Sequence, residues 1–112
     1  MSHGASAQSL RGKKLGLLIS AAPDQPSFQH GLRLAQAAVA QGVEVYIYYL
    51  DAAVAGVSRP DVQALKAAGA RLFACAYGAQ RRELPVTDEA VFAGLTVVSD
   101  IIAATDRFLS FN

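Results

Sequence analysis

Three short apolar runs that do not alternate with polar residues constrain this chain most: Leu15 to Ser20, Val43 to Leu50 and Leu72 to Ala74. A strand with one wet face alternates apolar and polar side chains. A run that is apolar throughout must be covered on both faces, as in a parallel sheet held between helices. The segments between the runs carry helical patterns. Ser27 is placed to cap a helix in which Phe28, Leu32, Ala35 and Val39 recur at three- and four-residue spacing, and Gly42 offers a left-handed residue to close it. Pro60 or Asp61 opens a second helix, with Val62, Leu65 and Ala68 on one face and Gly69 at its end. Strand, helix and strand in this order imply right-handed crossovers and parallel pairing.

Residues 1–13 are mostly small or polar and are expected to form a flexible N-terminal tail, with a single folded domain over 14–112. His3, in the tail, has no neighbouring ligand type and reads as solvated. Asp51 to Ser58 is a loop or a short helical turn. After the break at Pro85, the acidic sequence Thr87-Asp88-Glu89 predicts a helix start, although Leu84 to Phe92 also has room for a short strand. From Gly94 to Thr105, Leu95, Val98 and Ile102 share one side with Val97 and Ile101 beside them. A sector this wide is expected to touch both its own sheet and a second subunit. Arg107 to Phe111 is the final strand, giving a sheet of four to five strands.

At 112 residues there is one core to fill, yet 53% of the residues are hydrophobic and only 17% charged, an excess that predicts a homo-oligomer. The net charge of +1, without long runs of either sign, argues against nucleic acid and against an anionic lipid surface. No stretch approaches the apolar length that spans a bilayer. Arg11-Gly12-Lys13-Lys14 followed by Leu15 to Ala22 superficially resembles a signal peptide, but the run is short and leads into Pro23-Asp24-Gln25-Pro26 rather than a cleavage motif. One cysteine forms no internal disulfide, which suits the reducing cytoplasm.

That cysteine, Cys75, ends the third apolar run, and ligands and chemistry collect at the carboxyl ends of strands in an open parallel sheet. The edge is built from Ala21 to Pro26, Asp51 to Val57 and Cys75 to Gln80. A strand-to-helix turn after Cys75 would aim free backbone N–H groups at the sulfur, and Arg81 and Arg82 would add positive potential or dock an anionic group. The opposing reading is a buried cysteine that packs as a small hydrophobe.

Other chemistries fail on inventory. His30 is the only histidine near enough in the fold to act as a base and has no evident orienting partner. One cysteine and two histidines are too few for a thiolate zinc site. The turn after the first strand lacks both GxGxxG and GxxxxGK. Asp24 and Asp51, on the same edge, read first as solvated loop carboxylates. A single thiol that takes up sulfane sulfur as a persulfide and passes it on by exchange survives.

Four blocks together resemble the DsrE/DsrF/TusD sulfur-relay family: Leu15-Gly-Leu-Leu-Ile-Ser20 with its proline loop, Gly31 to Val45, Ala74-Cys-Ala-Tyr-Gly-Ala-Gln-Arg-Arg82, and Ala93 to Asp100 with Asp106 to Phe111. The resemblance spans Lys14 to Phe111. It implies a three-layer α/β/α fold around a parallel sheet of about five strands, in proteins that assemble as trimers or hexamers. It further implies that Cys75 accepts sulfur as a persulfide, without a cofactor, and hands it to a TusA-like or DsrC-like carrier. The family also contains subunits that serve mainly in assembly, which keeps a noncatalytic oligomeric subunit or binding module with an inert Cys75 as the alternative. Glu83 departs from the resemblance, standing where a glycine is expected after the paired arginines.

Overall fold

The computed structural model describes residues 10–112. His3 and most of the expected tail, residues 1–9, lie outside the described residues. Beyond them Leu10 to Gly12 form a turn, and the Gly12 N–H donates to the Gly42 carbonyl at 3.0 Å.

The strands are β1 (Lys14–Ile19), β2 (Glu44–Tyr49), β3 (Arg71–Cys75), β4 (Val91–Ala93) and β5 (Arg107–Phe111). Helices α1 (Pro26–Ala40), α2 (Pro60–Ala67), α3 (Ala76–Arg81) and α4 (Thr96–Ala104) alternate with them, and a 3₁₀ turn spans Asp51–Gly56. The five strands form one sheet in the order β4-β3-β2-β1-β5, parallel at every pairing. The fifth strand, left open within Leu84 to Phe92, is β4 at the sheet edge and reaches Ala93.

Right-handed crossovers decide which helix covers which face. The chain moves β1 to β2 to β3 in one direction, so α1 and α2 lie on the same face. There Phe28 and Leu32 of α1 and Val62 and Leu65 of α2 join Leu17, Ile19, Val45, Ile47 and Tyr49 in the core. The return from β4 to β5 reverses direction and sends α4 to the opposite face. There Gly16 allows close approach: a Cβ at this position would stand 2.7 Å from Phe108 and 2.8 Å from Ile101.

Three helices end in the same way. In α1 the N–H of Val43 donates to Ala38 and that of Gly42 to Val39, both at 3.0 Å; α2 repeats this at Ala70 to Leu65 and Gly69 to Lys66. Gly42 and Gly69 have φ of 81° and 111°, the left-handed conformation that this double bond requires. In α3 the matching bonds are Leu84 to Ala79 at 2.9 Å and Glu83 to Gln80 at 3.1 Å, and Glu83 itself takes φ 55°. The residue standing in place of the expected glycine therefore keeps a glycine-like backbone.

Three local expectations change. Helix α1 starts at Pro26 rather than after Ser27, because a proline with fixed φ is pre-organised for the first helical position; Gln25 precedes it and instead accepts the Ala22 N–H at 2.7 Å. Ala68 is exposed and does not extend the buried stripe of α2. Thr87-Asp88-Glu89 forms no helix. The Thr87 hydroxyl accepts the Glu89 N–H at 3.1 Å, Gln63 of α2 donates to the Glu89 carbonyl at 3.0 Å, and Lys66 donates to the Asp88 carbonyl. With these carbonyls taken by α2, the segment is held as an irregular strap.

Candidate functional site around Cys75

Cys75 is both the last residue of β3 and the residue that caps α3. Its φ and ψ of −69° and 115° are still extended, and its Sγ accepts the Gly78 N–H at 3.3 Å. The expected contact between a helix-start N–H and the sulfur is thus formed, with cysteine in the role usually filled by a serine or aspartate oxygen. The N–H dipole of Gly78 therefore points at the sulfur.

The surroundings are more closed than an open reactive edge. Cys75 is only 4% exposed and belongs to the hydrophobic core. Strand register places Tyr48 opposite Phe73, two residues before the cysteine on the same sheet face. The Tyr48 hydroxyl donates to the Ala93 carbonyl at 3.0 Å, and Ala93 is the β4 partner of Cys75. Burial first, then hydrogen bonding and charge interaction with the Cys75 sulfur, push the Tyr48 phenol far above its ordinary value. Tyr48 therefore stays a neutral neighbour of the thiol. Sequence reading missed it. The available signal was a hydroxyl-bearing residue inside an otherwise apolar run, and only the register showed its proximity to Cys75.

Arg81 and Arg82 both lie at the far end of the short helix that Cys75 caps. The Arg81 guanidinium sits over the Tyr77 ring at 5.8 Å from its centroid, and Arg82 donates to the Gly78 carbonyl at 3.4 Å. Both are exposed. Asp51, with φ 53°, begins the 3₁₀ turn beside α3, and its backbone N lies 3.7 Å from where a Gly78 Cβ would stand. Asp24, Asp51 and His30 are exposed.

An all-parallel α/β sheet with helices on both sides and one thiol capping a helix at its carboxyl edge defines the class of protein. The profile of the DsrE/DsrF-like family matches residues 13–111, and the chain belongs to that family, which is related to sulfur-relay proteins. Among solved structures, the ychN protein from E. coli superposes with a TM-score of 0.74 at 20% identity, over 89% of this chain and 99% of that one. A conserved protein of unknown function from Bacteroides thetaiotaomicron superposes with a TM-score of 0.72 at 15% identity, over 88% of this chain and 95% of its own. At these identities the likeness is one of fold. A comparison with curated protein sequences finds no match.

Proposed function

We propose that the protein is a sulfur carrier that holds sulfane sulfur on Cys75. The observation that carries this reading is the Gly78 N–H on Sγ at the carboxyl edge of the sheet. The Cys75 thiolate attacks the outer sulfur of a donor persulfide. A new S–S bond forms at Cys75 as the donor's S–S bond breaks, and the donor leaves as a thiolate. An acceptor thiolate then attacks the outer sulfur of the Cys75 persulfide and restores the Cys75 thiolate. Neither exchange needs a cofactor or a net oxidant.

Donor and acceptor are proteins of the kind the family implies, a TusA-like or DsrC-like carrier, in the cytoplasm. No helix among the described residues is long and apolar enough to cross a membrane. Exposed Arg81 and Arg82 are the contacts for an acidic partner surface. The reading also includes a homo-oligomer, a trimer or hexamer. Beyond α4, no helix among the described residues covers the sheet face that carries Cys75, and Val91, Leu95 and Ile102 lie 59%, 59% and 51% exposed on that side. Residues 14–112 act as one domain behind the N-terminal tail.

The burial of Cys75 favours a second reading, a noncatalytic oligomeric subunit in which the thiol only packs. Intact mass separates the two. Reduced protein incubated with a persulfide donor gains one sulfur atom that a reductant removes, and Cys75→Ser gains none. A wild-type thiol that stays unmodified, and that an alkylating reagent reaches only after denaturation, establishes the packing role instead.

A further inference from the structure

We propose a second ligand site at the end of the sheet opposite Cys75, built for an amphipathic anion with an apolar tail of medium acyl length and a single carboxylate head. A cavity of about 510 Å³ opens there between α1 and the first residues of β1 and β5. That lies within the range of roughly 300–1,000 Å³ typical of small-molecule sites. Its wall is mostly apolar, with Leu15 and Val43 on the sheet side and Leu34, Ala37 and Ala38 from the second half of α1.

The remaining lining sets the charge of the ligand. Lys13, Lys14 and Arg107 bring three cations to the cavity against one carboxylate, Asp106. The Oδ2 of Asp106 already accepts the Lys14 backbone N–H at 2.8 Å, which fixes it at the junction of β1 and β5. The Arg107 guanidinium already donates to the Asp106 carbonyl at 3.0 Å, so a neutral hydrocarbon would fill the wall and leave Lys13 and Lys14 unused. A small hydrophilic anion would pair the cations and leave the apolar wall wet. An acyl carboxylate satisfies both, its tail along α1 and its head among the lysines and Arg107. The strands' amino ends form this cavity and their carboxyl ends carry Cys75, so the site does not depend on sulfur chemistry.

The test is an amide-resolved NMR titration of the full chain with decanoate, decanol and decyltrimethylammonium below their aggregation limits. Decanoate is expected to shift Leu34, Ala37, Ala38 and Val43 saturably, and to bind at least about tenfold more tightly than decanol or the cationic amphiphile. Ala37 is exposed on its helix, so Ala37→Trp fills the cavity from outside the core and should abolish these shifts. The double variant Lys13→Glu with Arg107→Glu should weaken decanoate about tenfold while leaving decanol unchanged. Equal affinity for the three probes, binding that survives Ala37→Trp, or no saturable shift overturns the proposal. So do contacts in the free protein showing the cavity filled by residues 1–9 or by a second copy.

Discussion

Tyr48 and Tyr49 are neighbours in β2, both fully buried, and point to opposite faces of the sheet. The Tyr48 hydroxyl has the Ala93 carbonyl as its partner, beside the thiol. The Tyr49 hydroxyl, packed with its ring 6.1 Å from that of Phe28, has no hydrogen-bond partner among the described residues. Burial and the nearby Asp61 charge hold the Tyr49 phenol far above its ordinary value. Their phenylalanine variants should therefore differ in sign. Tyr48→Phe leaves the partly buried Ala93 carbonyl without this donor and should cost about 1 kcal/mol in denaturant unfolding, whereas Tyr49→Phe removes an unsatisfied hydroxyl and should be neutral or stabilising by about as much. Equal destabilisation by both would show that the hydroxyls do not differ as described. The apolar character of both positions was legible from composition and pattern. Which hydroxyl met a partner depended on strand register and on β4, which sequence did not locate.

At the scale of elements, the helix ends give a sharp expectation. Gly42 and Gly69 close α1 and α2, and Glu83 closes α3 in the same left-handed geometry without a glycine's freedom. That conformation costs a non-glycine residue about 1–2 kcal/mol, and glycine loses about 0.5–1 kcal/mol more backbone entropy on folding. Glu83→Gly should then raise stability by roughly 0.5–1 kcal/mol, read as a shift in denaturation midpoint with unchanged slope. A second element-scale feature joins the proline loop after β1 to the start of α2. Arg59 forms a bidentate pair with Asp61 at 2.8 and 3.0 Å, donates to the Pro23 carbonyl at 3.3 Å and lies over the Phe28 ring. The Arg59 hydrogen bonds hold the Asp61 carboxyl below its ordinary value of 3.8. Asp61 then contributes fully above that pH, and its contribution drains away as pH falls through the lower folded value. With side chains 33% and 36% exposed, screening keeps the effect well under about 1 kcal/mol. Acid titrations of stability should show this limb in wild type and a flatter one in Asp61→Asn; identical curves would show that the pair does not couple to folding.

For the molecule as a whole, handedness leaves the sheet unevenly covered. Two crossover helices shield one face, while among the described residues α4 is the one helix on the other, packed on β1. Phe73 is only partly buried there, and Leu95 and Ile102 face outward from the α4 side. Burying such a surface against a second copy is the simplest way for a small, apolar-rich domain to remove it from water. Sedimentation of the wild-type chain should show an oligomer, and Ile102→Asp, exposed and so harmless to the monomer's own core, should shift it towards monomer. A wild-type monomer at micromolar concentration would remove the assembly from the proposed function.

The sequence by itself determined the parallel sheet, the crossovers and the place of Cys75, because each rests on local information: unbroken apolar runs, three- and four-residue spacing, and glycines where helices must stop. The same local information failed at Thr87 to Glu89, where an acidic helix-start pattern was overruled by side chains of α2 from more than twenty residues away in the chain. Tertiary structure alone decided the strand order, the edge position of β4, the Tyr48 hydroxyl beside the thiol and the closure around Cys75. These depend on which segments meet in space, and a helix cap or strand pattern carries no record of the partner that will later cover it.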